Sequence, residues 1–309
     1  MLSIPAPLNG RYTLITHNPT QPPFKLWSKI HGTGPIKILF IMGLNTSHQN
    51  WSLQFEHFAS LPDTNFSCLV FDNRGVGFSD TPAPPYSSGA MARDVLSLVE
   101  SVGWTERVHV VGVSLGGMIA QEFVLGAWKG LVASLTLVST HAGRVRTPVK
   151  GMVRVPYIAS LNGLANTRAT VDLMFPKEWL DQVRLGDGRR NRDWIMELFE
   201  TRNSRVPAPR KQGSFGQLCA ALSHYVDRER LMRIRGIPVF VATGTEDHLV
   251  DPVNSEYLAE VLEARIYRVF VGAGHSLIAQ CANEFNLLLK GFVEEVEAEL
   301  EAELERGFR

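Results

Sequence analysis

The chain is short of the features that would hold a protein together, or in a membrane, by special means. Its three cysteines, Cys68, Cys219 and Cys281, are odd in number and widely spaced, with no Cys-x-x-Cys and no histidine at a ligand spacing. That argues against a disulfide framework and a thiolate metal site and for reduced core thiols. No apolar run approaches the ~20 residues needed to cross a bilayer. Met1-Leu2-Ser3-Ile4-Pro5 does not begin the basic-then-apolar pattern of a secretion signal, so the expected location is cytoplasmic. Net charge is absent as well: 31 basic residues balance 31 acidic ones, which speaks against a nucleic-acid partner. Gly75-Val76-Gly77 lacks the third glycine of a dinucleotide fingerprint. Neither a metal nor an organic cofactor is expected.

What the chain does have is Gly112-Val113-Ser114-Leu115-Gly116. An apolar β-like run over 107–113 ends in this Gly-x-Ser-x-Gly and turns helical at Met118-Ile119-Ala120. Such a strand-to-helix turn strains the serine backbone and thrusts the hydroxyl out of a sheet, and the flanking glycines let neighbouring chain approach without a Cβ clash. Ser114 is the candidate nucleophile.

A serine hydroxyl is a weak nucleophile at neutral pH, so it needs a histidine to take its proton and a carboxylate to orient the ring. Behind an elbow of this kind the acid and then the histidine follow in chain order, each on a loop after a strand. Pro238-Val239-Phe240-Val241-Ala242-Thr243-Gly244 reads as a strand with Asp247 just beyond it, and 264–270 as another with Gly272-Ala273-Gly274-His275 beyond. Asp247 and His275 are the candidate acid and base. Glu246 is the rival acid and His248 the rival base, although a residue adjacent to the acid bridges poorly to a distant serine. His141-Ala142-Gly143, after the strand at 134–140, offers no carboxylate. Stabilising an oxyanion calls for two backbone N–H donors. The expected pair is Leu115, after the nucleophile, and Leu44, in the loop after the strand at 36–42. Asn45 and His48 in that loop are candidate substrate contacts.

These residues resemble the α/β-hydrolase superfamily. The matching motifs are Met42-Gly43-Leu44, Asp72-Asn73-Arg74-Gly75-Val76-Gly77-Phe78-Ser79, the Gly112 to Gly116 elbow, Gly244-Thr245-Glu246-Asp247 and Gly274-His275, and the likeness spans residues 11–293. Many members have His-Gly where this chain has Met42-Gly43. The resemblance implies an α/β fold: a mostly parallel eight-stranded sheet with helices on both faces and an inserted helical cap. It also implies a serine hydrolase of the esterase and lipase type, acting on a carboxylic ester of a hydrophobic small molecule or acyl lipid through an acyl-enzyme. Non-hydrolytic lyases, acyltransferases or cyclisation catalysts and receptor-like binding modules share the frame and are the alternatives. Epoxide and haloalkane hydrolases carry Asp at the position of Ser114.

The organisation agrees. An N-terminal hairpin (11–18 and 24–31) leads into alternating strands and helices up to residue 140, and the alternation resumes at 236. Residues 1–140 and 236–309 are the expected core, and 141–235 the cap, inserted between strands 6 and 7, with helical character at 170–175, 194–201 and 215–226. The cap is basic, with 18 Lys and Arg against 9 Asp and Glu. That reads as a solvated surface, with anionic substrates or transient membrane-surface contact as the sharper alternatives. Its apolar residues, among them Met152, Tyr157, Leu164, Trp179 and Trp194, favour a hydrophobic substrate. The acidic C-terminus reads as a solvated extension of the last helix, with Phe292, Val296 and Leu300 as an apolar stripe; a dimer contact is the alternative to a monomer. Asp72 and Arg74 read as braces beside the elbow rather than as a second acidic site.

Overall fold

The computed structural model describes residues 9–17, 22–61, 65–143 and 148–307. The first residues of the expected core, Asn18 of the expected hairpin, and Arg144 and Arg146 of the basic segment lie outside the described residues. One sheet holds eight strands: β1 (Arg11–Ile15), β2 (Phe24–His31), β3 (Ile36–Ile41), β4 (Phe66–Phe71), β5 (Val108–Val113), β6 (Val132–Val138), β7 (Val239–Gly244) and β8 (Ile266–Phe270). Their order is β1-β2-β4-β3-β5-β6-β7-β8. β2 runs antiparallel to both of its neighbours, and every other pairing is parallel.

The chain leaves β3 toward β4 on one side and returns past it to β5 on the other. In sheets of this kind such a reversal marks the ligand-binding position, here the carboxyl ends of β3 and β5. Ser114 and Gly43 both stand there.

The central strands read as near-continuous apolar runs because both sheet faces are covered. Helix α1 (Ser52–Ala59) follows β3, α2 (Ser88–Ser101) precedes β5 and α3 (Leu115–Gly126) follows it. Among the described residues, six helices stand between β6 and β7: α4 (Val149–Ser160), α5 (Gly163–Met174), α6 (Lys177–Asp181), α7 (Asn191–Ser204), α8 (Lys211–Ser223) and α9 (Arg228–Met232). α10 (Pro252–Val261) joins β7 to β8, and α11 (Leu277–Gln280) and α12 (Ala282–Gly307) complete the described chain. Leu39, Val110, Leu137 and Val241 pack against Val95, Phe123 and Leu258 of α2, α3 and α10. Their neighbours of opposite parity, Phe40, Val111 and Phe240, pack against Phe58, Phe285 and Phe292 of α1 and α12. This period of two is how one strand serves two cores.

The acidic extension is a solvated helix end, with residues 301–306 exposed on α12, but the apolar stripe at its base is not. Phe292 and Val296 are buried on the sheet with Leu300 packed beside them. Glu297 accepts from His109 Nε2 at 3.0 Å and pairs with Arg107. The sheet face left open beyond α1 recruits α12 as its cover. In the expected cap, α8 stops at Ser223 instead of running to 226. There the chain turns extended, and Val226 N–H donates to the Ala142 carbonyl, tying the two ends of the segment together.

Candidate active site

Ser114 sits at φ 55° and ψ −122°, a left-handed backbone no side-chain-bearing residue adopts without cost, of order 1–3 kcal/mol. Its surroundings over-determine it. The Ser114 N–H donates to Val138 O at 2.9 Å, and its carbonyl accepts from Gly117 N–H, Met118 N–H and Thr140 Oγ1. The glycines have a spatial reason: a Cβ on Gly112 would stand 2.4 Å from Gly116 O, and one on Gly116 would stand 2.1 Å from Ile41 O. Helix α3 can therefore start directly above β5 and against the end of β3.

That contact brings the loop after β3 over the serine. A Cβ on Gly43 would stand 3.2 Å from Ser114 Cβ and 3.7 Å from Oγ. Among the described residues, neither the Leu44 nor the Leu115 N–H has a hydrogen-bond partner, so the residue after Gly43 and the residue after Ser114 each keep an unspent backbone donor. Asn45 follows with φ 57° and an exposed side chain, while its N–H is used by Gln217 Oε1 at 2.8 Å.

At the ends of β7 and β8, His275 Nδ1 lies 2.8 Å from Asp247 Oδ2 and 3.0 Å from Oδ1, both residues buried. Asp247 Oδ1 also accepts from the Leu249 and Val250 N–H groups at 2.9 Å each, which fixes the carboxylate as an acceptor. Glu246 is exposed on the same loop and His248 is partly exposed; neither is hydrogen-bonded to the His275 ring, which pairs with Asp247. Burial and Lys150 hold the His248 pKa below the ordinary imidazole value, against the opposing pull of Glu246 and Asp247. The two loops are stitched by Glu246 N–H to Ala273 O and Thr245 N–H to Phe270 O. The Ser114 hydroxyl makes no hydrogen bond to a described residue.

His48 is placed otherwise than as a substrate contact. It is buried, its N–H and Nδ1 both reach Asp72 Oδ1 at 2.8 Å, Nε2 meets the Gln49 side chain, and the ring leans on Trp27. Asp72, which also accepts from Phe78 N–H at 2.9 Å, spans the loops after β3 and β4, and its carboxylate takes up the imidazole. Arg74 forms a two-pronged pair with Asp94 of α2. Among the described residues no group of three His, Cys, Asp or Glu gathers to hold a metal ion, and no helix is long and apolar enough to cross a membrane.

The α4–α9 segment touches all three loop sets. Gly151 of α4 lies against the His248 carbonyl, the Met174 carbonyl at the end of α5 accepts from Ser276 N–H, and Gln217 of α8 holds Asn45. Gln217, Gln280 and Thr140 are the structural neighbours that sequence reasoning missed. Gln280 accepts from Gly274 N–H and donates to Gly272 O, bracketing the histidine loop. A glutamine on a helix carries no local mark of such a task.

The architecture and motifs have relatives. A protein of Azorhizobium caulinodans named "Putative carbamate hydrolase RutD" is 30% identical over 278 residues, covering 88% of this chain and 96% of that one. Poly(3-hydroxyalkanoate) depolymerase of Ectopseudomonas oleovorans is 29% identical over 210 residues, 68% of this chain and 69% of that one. Among solved structures, esterase RhEst1 from Rhodococcus sp. ECU1013 superposes with a TM-score of 0.74 at 20% identity, covering 94% of this chain and all of that one, a likeness of fold. The model of the α/β hydrolase fold family matches residues 37–280, and the chain belongs to that family.

Proposed function

We propose that the chain is a serine hydrolase that cleaves a carboxylic ester of a hydrophobic small molecule or acyl lipid, with α4–α9 as a cap over the site. The observation that carries this reading is the Asp247–His275 pair at the same sheet edge as a strained Ser114 flanked by two unspent backbone donors. With its Nδ1 proton donated to Asp247, His275 presents Nε2 as the base. Ser114 Oγ attacks the ester carbonyl and its proton passes to Nε2, while the carbonyl π electrons move onto oxygen. The Leu44 and Leu115 amides receive that oxyanion, each worth about 3–4 kcal/mol in the transition state. Collapse breaks the bond to the leaving alkoxide, which takes the proton from His275. Water, deprotonated by the same Nε2, then repeats the sequence on the acyl-enzyme.

The apolar substrate preference rests on the cap. Phe215, Leu218 and Leu222 expose one face of α8, and Val149, Met152 and Val153 one face of α4. Leu218 directly follows the glutamine that holds the loop of Leu44. Exposed apolar faces on a segment that touches the loops of Ser114, Asp247 and His275 accord with a hydrophobic acyl or alkyl chain as substrate. Three unpaired cysteines accord with a reducing, cytoplasmic compartment.

Purified protein is expected to hydrolyse p-nitrophenyl esters, and Ser114→Ala to lower kcat by about 10⁴-fold or more. Turnover undiminished in that variant would remove Ser114 from the mechanism, and a wild type inert toward every ester would favour a non-hydrolytic or receptor role.

A further inference from the structure

Gln217 is fully buried, yet it belongs to the cap and reaches into the core. Its Oε1 accepts from the Asn45 N–H at 2.8 Å, and its Nε2 donates to the Arg74 carbonyl at 2.9 Å. Helix α8 comes this close because two glycines face each other: a Cβ on Gly213 would stand 2.1 Å from the Gly75 carbonyl oxygen.

The consequence lies in two consecutive peptide planes. The plane that carries the Leu44 N–H also carries the Gly43 carbonyl, which accepts from Thr46 Oγ1 at 3.0 Å. The next plane ends in the Asn45 N–H, which Gln217 holds. Leu44 is thus clamped on both sides, once by its own loop and once by the cap. Peptide planarity turns the second bond into a constraint on the rotation of Leu44, and so on where its N–H points. Asn45, at φ 57°, is the strained residue the clamp retains.

We infer that Gln217 is a positioning residue for the oxyanion donor Leu44, so that seating of α8 and alignment of the oxyanion hole are one structural event. The cap then does more than shape a pocket: it completes the electrostatic frame of the reaction from a helix that carries none of the reacting groups. This inference rests on the ester-hydrolase reading, and its test separates the two.

Gln217→Met removes both bonds at similar length. The expected result is a fall in kcat of about tenfold to a hundredfold, the scale of a donor displaced by a fraction of an ångström to one ångström, with KM changed less than about threefold. A trifluoromethyl ketone, which binds as an oxyanion adduct of the serine, should lose affinity in proportion to kcat/KM. The matching non-fluorinated ketone, bound as a ground state, should not. Ala220→Gly, on the same helix but facing the core, lowers helix stability without touching Asn45 and should leave kcat and both affinities in place.

Wild-type kcat and wild-type trifluoromethyl ketone affinity in folded Gln217→Met would overturn the inference while leaving Ser114 as nucleophile. Equal losses in Ala220→Gly would overturn it too, by showing that any loosening of α8 suffices. A wild type that hydrolyses no ester would sink both readings. Should the Met variant fail to fold, Gln217→Glu decides. It keeps an acceptor toward Asn45, so trifluoromethyl ketone affinity should stay within about threefold of wild type, and a loss as large as that expected of the Met variant would refute the clamp.

Discussion

The sheet core and the α4–α9 segment, the proposed cap, differ in how much apolar side-chain surface they leave outside. In the core, three buried charged sets are paired: Asp72 with His48 and Phe78 N–H, Arg74 with Asp94, and Glu297 with His109 and Arg107. In the cap, large apolar side chains remain outside, with Leu222 80% and Val149 75% exposed. The paired charges of the core fix geometry, and α4–α9 leaves a denser set of apolar side chains at the surface. On the proposed function, chemistry that tolerates little displacement would sit on the first, and recognition of a hydrophobic substrate would fall to the second.

The contrast can be broken at several strengths. Asp247→Asn exchanges one oxygen for a nitrogen in the core, and kcat is expected to fall by about 10⁴-fold because the histidine loses its orienting acceptor. A fall of less than tenfold in steady-state assays would transfer that role elsewhere, Glu246 being the neighbour to examine. Leu137→Ala, at a fully buried position of β6, should cost about 2–5 kcal/mol in urea unfolding. Leu222→Ala on the exposed face of α8 should cost under about 0.5 kcal/mol, yet raise KM several-fold for octanoyl but not acetyl esters. Equal stability losses at the two leucines would erase the distinction.

The smallest expected effect lies at the junction of the two regions. His141, after β6, and His224, after α8, face each other with their ring centroids 5.9 Å apart. Burial lowers the His141 pKa to about 4. Burial first, then His141 and Arg230, lowers that of His224 to about 3, against the opposing effect of its backbone hydrogen bond with His141. Both sit below the unfolded value near 6.5, so below that pH the unfolded chain binds protons that the folded chain resists. Stability should be full above pH 6.5 and decline toward pH 4 and below. His224→Asn should flatten that acid-side slope in Tm against pH, and an unchanged slope would place the acid sensitivity elsewhere.

Much of the core was legible because each signal was local and doubled. The elbow joins an apolar run to a glycine-bracketed serine, and the loops of Asp247 and His275 each follow a strand of the same pattern. The cap resisted such reading. α4 runs through Pro156, ordinarily a helix breaker, and goes unmarked in the sequence. The isolated antiparallel bridge between Val183 and Arg190 is too short to leave an alternating pattern. His48 reads like any polar loop residue until its ring is seen on Asp72, and Gln217 acts across 172 residues of sequence, a separation no periodicity encodes.

The central claim is that the Ser114 hydroxyl is activated by the His275–Asp247 pair. Peptide mass spectrometry after exposure to a fluorophosphonate tests it most directly: one adduct on the peptide carrying Ser114, absent in Ser114→Ala and strongly slowed in His275→Ala. An unlabelled Ser114 in protein that still turns over esters, or an adduct on another residue, would contradict it.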